Sequence, residues 1–354
     1  MNLLLKKSNL KGSMHKFTKN EFKVIKILLN NSLITDTEIS LKLNISIQAV
    51  RKIRKKLENM IIRKYTTEFQ YNSMGIGVLT IAIFRLLEEK YYRDIVNSLS
   101  PHVIGLYKVQ KNPQTYVGLF AFQDMQELNG FFYKLSSDFY GIFKVEQIYP
   151  CAIQSILKYS EYQLINYILN CIMKNLNFDR IPARIFPKEY SIEKIELSEM
   201  KGNERKVLGK LCLNGRVRLN KMAQELSLSP TAISKIQKRL EEKNIIKKYS
   251  IKVDYNKLGI NIFSFVIAKE KMPLGNGIFE WVNKEPNIIS CFKIVDGSTD
   301  ILFCGFKDMD DLDHYFSSFQ RINKGILEIE DIYILTQKGI IYDSFDSFVT
   351  NSCS

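Results

Sequence analysis

Residues 44–58 read NISIQAVRKIRKKLE, and residues 227–241 read SLSPTAISKIQKRLE. Each stretch is a short polar turn, then a serine, then an apolar stripe at helical spacing. Ala49, Val50, Ile53 and Leu57 fall on one side of the first predicted helix; Ala232, Ile233, Ile236 and Leu240 do so in the second. Ser46 and Ser229 stand where an N-cap is needed, and Pro230 takes the first helical position, where its missing N–H costs nothing. The opposite sides carry Gln48, Arg51, Lys52 and Lys55 in one copy and Thr231, Ser234, Lys235 and Lys238 in the other.

The residues before the first stretch complete a motif. Phe22, Ile25, Leu28 and Leu29 line one face of a predicted helix over 21–30, and Asn30, Asn31 and Ser32 turn the chain. A second, short helix is expected over 36–43, with Asp36 placed to cap it and Asn44 to end it. Two helices joined by a short turn, the second polar and basic outside, fit helix-turn-helix geometry. The front of such a helix enters the major groove, where Arg and Lys meet guanine and Gln meets adenine. Asn59 and Asn244 are expected to break the reading helices. The strands IIRKYTTEF (61–69) and IIKKYSIKV (245–253) then supply wings, placing Arg63, Lys64, Lys247 and Lys248 against phosphates. The candidate DNA-binding residues are therefore these four, the eight on the outer helix faces, and Ser46 and Ser229, which serve first as caps.

The resemblance of the two stretches extends outward at an offset of 183 to 185 residues. Tyr71–Ile76 matches Tyr255–Ile260, and FKVEQIY (143–149) matches LEIEDIY (327–333). One unit thus occurs twice, at about 18–150 and 200–335. Of the formal net charge of +14, residues 16–76 hold +7 and residues 200–260 hold +10, leaving −3 for the rest. Charge gathered onto one module per repeat is the footprint of phosphate contacts.

The second half of each unit alternates apolar strands (78–84 and 262–268), helices (about 90–99 and 276–284), two more strands, a second helix (126–135 and 310–319) and a last strand. That β-α-β-β-α-β order is ferredoxin-like. The predicted fold is α+β: winged helix-turn-helix domains at 16–76 and 200–260 alternate with ferredoxin-like domains at 77–150 and 261–336. A connector spans 151–199, with an apolar helix expected over 155–176 and an extended linker over 177–199; a tail of unread role follows from 337 to 354.

No uninterrupted apolar run reaches 18 residues, and the N-terminus lacks a signal-peptide core, so a cytoplasmic protein without membrane partners is expected. The six cysteines form no CxxC pair and no metal-ligand spacing, and they read as reduced; neither a metal nor a cofactor is expected. No paired carboxylates, phosphate loop or nucleophile motif stands out.

With these halves in this order, both repeats resemble the Lrp/AsnC (feast/famine) regulators. The segment PNIISCFKIVDGSTDILFCGFKDMDDLD (286–313) is especially similar to their effector domain, including Gly297 and Asp300. The resemblance implies a regulator of transcription that binds double-stranded DNA. It also implies pairing through the effector sheets, here as a pseudo-dimer within one chain or as a homodimer, and a small-molecule effector such as an amino acid near Gly297 and Asp300. A strand-connecting turn is the other reading of those two residues. The matching loop of the first copy, Gln110–Thr115, has neither Gly nor Asp, and Ile53 and Ile236 stand where much of the family has arginine. Two other functions stay open. Some proteins of this layout are thought to decarboxylate a tetrapyrrole (siroheme), although the three histidines, His15, His102 and His314, read as surface residues. The effector domains or the 155–176 helix would otherwise serve an adaptor that recruits basal transcription factors or RNA polymerase.

Overall fold

The computed structural model describes residues 17–69, 75–100, 102–110, 112–159, 162–174, 182–185 and 202–343. The first repeat opens with α1 (Lys19–Asn30), α2 (Asp36–Leu43) and α3 (Ile47–Met60). Thr18 and Glu21 form a reciprocal capping box on α1, and Thr35 and Glu38 form another on α2. The cap of α2 is therefore Thr35 rather than Asp36, which is its first helical residue. Asn44 takes the left-handed conformation, φ 52°, that lets α2 turn into α3. Asn59 does not break α3, which runs on to Met60.

Strand β1 (Ile62–Phe69) follows, then β2 (Val78–Leu86), α4 (Tyr92–Leu99), β3 (Val103–Val109), β4 (Thr115–Phe122), α5 (Met125–Asp138) and β5 (Phe143–Ala152). The connector holds β6 (Ile156–Tyr159) and α6 (Tyr162–Lys174). The expected 155–176 helix is thus a strand first and a helix second. Most of the 177–199 linker lies outside the described residues. The second repeat gives α7 (Gly202–Leu213), α8 (Leu219–Leu226), α9 (Pro230–Glu242), β7 (Ile246–Val253), β8 (Ile262–Glu270), α10 (Asn276–Lys284), β9 (Ile288–Lys293), β10 (Thr299–Phe306), α11 (Met309–Ile322) and β11 (Leu327–Asp343).

The strands expected as two separate wings pair with each other. β1 and β7 form a two-stranded antiparallel ribbon in which Thr66 lies opposite Ser250. Those two residues occupy equivalent places in the repeat, so a pseudo-two-fold axis passes through their pairing. Each three-helix unit then packs on the other repeat's strand, α1 on β7 and α7 on β1. Matched bonds seal the exchange. Ser32 N donates to Tyr249 O at 3.0 Å and Gly215 N to Tyr65 O at 3.2 Å; Ser250 Oγ donates to Leu29 O at 2.9 Å and Thr66 Oγ1 to Cys212 O at 3.4 Å.

The two ferredoxin-like sheets, β5-β2-β4-β3 and β11-β8-β10-β9, join through β3 and β11 into one nine-stranded sheet that ends in β6. Alternation decides their faces. Leu79, Ile81 and Ile83 of β2 enter the core shared with Phe263, Phe265 and Ile267 of β8, whereas Ala82, Phe84 and Leu86 pack under the first domain's own helices. Two sheets face each other with helices outside. Aromatic rings stitch the sheets together: Tyr107 lies 5.3 Å from Phe265, which lies 4.7 Å from Phe303. Burial of each such side chain contributes about 1.5–3 kcal/mol.

One edge of each ferredoxin-like sheet is covered by the other repeat. β6 pairs with β9, with Ile156 opposite Phe292; the far end of β11 pairs with β3, with Ile340 opposite Tyr107. These pairings are equivalent under the same pseudo-symmetry, so the repeats extend to about 159 and 343. Residues 337–343 of the expected tail are therefore strand, and residues 344–354 lie outside the described set. Covering an edge removes a row of unpaired backbone groups that would otherwise template association. Helix α6 buries Leu164, Ile165, Ile168 and Leu169, and its Asn170 Oδ1 accepts from Lys26 Nζ of α1 at 3.1 Å. No helix among the described residues is long and apolar enough to cross a membrane.

Candidate nucleic-acid interface

Helix α3 starts where Ser46 Oγ accepts from Ala49 N at 3.1 Å, and α9 where Ser229 Oγ accepts from Ala232 N at 3.1 Å. Both hydroxyls thus act as caps. Val50 and Leu57 are buried beneath α3, as are Ile233 and Leu240 beneath α9. That fixes what points out. Gln48, Arg51, Lys52 and Lys55 are all exposed, and so are Thr231, Ser234, Lys235 and Lys238. The Arg51 side chain is 70% exposed even with Asp36 at 3.7 Å, and Lys238, 76% exposed, lies 3.7 Å from Glu242 on the next turn. Exposed pairs at such distances are worth about 0–1 kcal/mol, so these cations are free to move to a phosphate or a base.

The four residues expected on wings sit on the inter-repeat ribbon instead. Arg63 Nη2 lies 3.4 Å from Asp254 Oδ1, and Lys248 Nζ 3.1 Å from Glu68 Oε1, each across the ribbon. Lys64 is half-buried and Lys247 is exposed. Strand alternation was legible in 61–69 and 245–253; the strand each would pair with was not. Arg63 and Lys248 each bridge the two repeats across the ribbon.

Charged residues hold the reading helices in place, and of these Arg54, Glu21 and Glu204 are buried. Arg54, on the inner side of α3, donates from Nε to Asp36 Oδ1 at 2.7 Å and from Nη2 to Ile34 O at 2.9 Å. Lys56 donates to Glu21 Oε1 at 2.5 Å, and Arg239 pairs with Glu204 in the same place in the second copy. Burial raises the Glu21 pKa, but hydrogen bonds from Lys56 and Thr18 and the Lys56 charge outweigh it, leaving the carboxyl below its ordinary value. Tyr65 donates to Glu58 at 2.5 Å, as Tyr249 does to Glu241 at 2.6 Å. Both repetitions are visible in the sequence at offsets of 183 and 184 residues, a signal that like-charged positions in the two copies would have given.

The effector candidates separate. Gly297 sits in an exposed turn at φ 75°, closed by Asp296 Oδ1, which accepts from Ser298 N at 2.9 Å and Thr299 N at 2.8 Å. Asp300 is not in that loop but in β10, fully buried. Its Oδ2 lies 3.6 Å from Lys293 Nζ, and Lys293 pairs with Glu270. Two carboxyls and one ammonium share this interior. Burial, countered in part by Lys293 and reinforced by Glu270, pushes the Asp300 pKa well up. Burial, then Asp300, pushes neighbouring Cys151 up to about 12. The turn itself lies where the repeats meet, since Val295 N donates to Pro150 O at 3.1 Å; Gln110 N donates to Ile334 O at 2.8 Å in the equivalent place.

Of the histidines, His102 is wedged between Phe122 and Phe131, both rings at 4.7 Å, and His314 is exposed on α11; His15 lies outside the described residues.

A family model for winged helix-turn-helix DNA-binding domains matches residues 17–60 and 200–247. The chain is similar to the HTH-type transcriptional regulator LrpC of Bacillus subtilis (strain 168), 22% identical over 133 residues. That span is 38% of this chain and 92% of the relative. It is likewise similar to an uncharacterised HTH-type transcriptional regulator of Pyrococcus abyssi, 22% identical over 36% of this chain and 83% of that one. Each of these relatives is thus about one repeat long. The crystal structure of the siroheme decarboxylase NirDL superposes over 94% of this chain and 97% of its own, with a TM-score of 0.55 and 13% identity. That likeness establishes a shared duplicated fold.

Proposed function

We infer that this chain, a tandem winged helix-turn-helix protein of the Lrp/AsnC type, is a sequence-specific double-stranded-DNA-binding regulator of transcription and not an enzyme. One observation carries the reading. Each repeat presents a capped helix whose outward side is polar and basic, and a single antiparallel ribbon relates the two helices by a pseudo-two-fold axis. Duplex DNA has matching symmetry in its backbone, and paired reading helices address half-sites about 34–36 Å apart or a multiple of that.

In this reading Gln48, Arg51, Thr231 and Ser234 meet base edges, while Lys52, Lys55, Lys235 and Lys238 meet phosphates. Arg63, Lys64, Lys247 and Lys248 act through the ribbon that spaces the helices. An amino-acid effector would act at the turn around Gly297, where the repeats touch, and the outer helices would meet basal transcription factors or RNA polymerase, in the cytoplasm.

Selection of bound sequences from random duplexes, at stated salt, tests the reading. A defined motif is expected, with log affinity falling steeply against log salt. Recovery of no motif, together with weak, sequence-blind binding, rejects it. The shared fold with NirDL motivates one control. Added iron-tetrapyrrole should leave no stable absorbance band on the protein; a stoichiometric coloured complex would favour the decarboxylase reading instead.

A further inference from the structure

The strongest unexplained feature is the inequality of two helices that the fold places in symmetric positions. At an offset of 183, Lys52 matches Lys235 and Lys55 matches Lys238, so the basic part of the reading face is the same in both copies. The difference is confined to two of those four outward positions: Gln48 against Thr231, and Arg51 against Ser234. Arg grips guanine O6 and N7 with two bonds, and Gln grips adenine N6 and N7 with two; Thr and Ser offer one hydroxyl each.

The supports differ in the same sense. In the first copy α2 has its Thr35–Glu38 capping box, and buried Arg54 ties α3 to Asp36 at the start of α2. In the second copy α8 begins at Arg218 with no side-chain cap. The residue matching Arg54 is Gln237, whose amide donates to Tyr249 Oη at 2.7 Å, on the ribbon rather than on α8. The first reading helix is thus both better equipped for base readout and more firmly referenced to its neighbour.

The two repeats pair with each other within the chain. β1 and β7 form the ribbon, β6 covers the free side of β9, and the far end of β11 covers the free side of β3. One chain therefore always presents one helix of each kind, in inverted orientation.

We propose that a single chain reads a directional, non-palindromic duplex site: two unlike half-sites in inverted orientation, the stronger one read by Gln48 and Arg51 and the weaker by Thr231 and Ser234. This rests on the DNA-reading function above. Each two-bond contact discriminates its base pair by roughly 5- to 150-fold, so the first half should show sharp preferences and the second shallow ones.

The test uses the full chain. Sequence selection with the wild type should return one sharp and one shallow half, bound by one chain per duplex as measured by light scattering of the complex. The double variant Thr231→Gln, Ser234→Arg makes the two faces alike at all four positions. Its selected site should become an inverted repeat of the sharp half, with affinity for that repeat up at least about 5-fold over wild type, by the same contact energies. The reciprocal variant, Gln48→Thr with Arg51→Ser, should lose the sharp half and keep the charge-driven binding. All four positions are exposed, and unchanged far-ultraviolet circular dichroism confirms the fold. A perfect palindrome selected by the wild type, two chains on one site, or an unchanged motif in the symmetrised variant overturns the directional proposal while leaving DNA reading intact. A wild type that enriches no sequence overturns both.

Discussion

Replacing Asp36 with alanine should unlock the first helix-turn-helix from beneath. The Arg54 side chain is 6% exposed and reaches Asp36 Oδ1 at 2.7 Å, while the Asp36 side chain is 25% exposed. Removing one partner of a fully buried ion pair costs about 3–5 kcal/mol, because the other charge stays buried and uncompensated. Here the Ile34 carbonyl still accepts from Arg54 and solvent reaches Asp36, so the pair should contribute less, about 2 kcal/mol. Two smaller losses come with it. The contact between Asp36 and exposed Arg51, 3.7 Å long, is worth about 0–1 kcal/mol. An acidic residue in the first turn of α2 adds about 0.3–1 kcal/mol through the helix dipole. Asp36→Ala should therefore cost about 3 kcal/mol in all. Arg54→Leu should cost less, since it removes the buried charge together with its bonds. The double variant should be no worse than Arg54→Leu by more than the two surface effects, giving a coupling energy of about 1.5–2 kcal/mol. Urea unfolding followed by circular dichroism measures the cycle, with hydrogen exchange locating the loss in α2 and α3. The equivalent change in the second copy, Leu219→Ala at an exposed position, should stay within about 0.5 kcal/mol. A coupling below about 0.5 kcal/mol would falsify the view that Arg54 is a structural lock.

Gly215→Ala should destabilise the ribbon contact by about 1–3 kcal/mol, since a Cβ there would stand 2.7 Å from Thr66 O and 2.9 Å from Thr66 C, both main chain; an unchanged melting temperature would contradict it. Lys52→Ala should weaken binding to every duplex and lower the salt slope by about 0.9 for a lost phosphate contact, whereas Arg51→Ala should relax preference at one base pair by about 1–3 kcal/mol. Glu21, with its pKa held below 4.5, lends stability that is fully present above its unfolded pKa and lost as pH falls through its folded one; Glu21→Gln should flatten the acid limb of the stability curve, and an unaltered limb counts against the Lys56 pairing. Asp300 has the opposite sign: its raised pKa means stability is lost as pH climbs from 3.8 toward the folded value, so Asp300→Asn should raise the melting temperature at neutral pH and remove that slope.

The sequence by itself determined the parts. Apolar spacing of 3.6 on Val50, Leu57, Ile233 and Leu240, serine caps at 46 and 229, and the apolar strand runs at 78–84 and 262–268 are local properties, and each formed as read. The outward side of α3 and α9 followed from the same periodicity, because a residue opposite a buried stripe has nowhere to go but solvent. Only the tertiary structure decided what pairs with what. Strands 62–69 and 246–253 look alike whether each folds back on its own helices or on the other copy, since alternation carries no partner label. Arg54 and Arg51 are both arginines on one helix, and only packing separates a buried lock from an exposed reader. Residues 156–159 and 337–343 became strands because each found an open sheet edge across the pseudo-two-fold axis, a vacancy that exists only once both repeats have folded together. Asp300 looked like a loop ligand beside Gly297; closing the two sheets around Lys293 and Glu270 made it an interior acid.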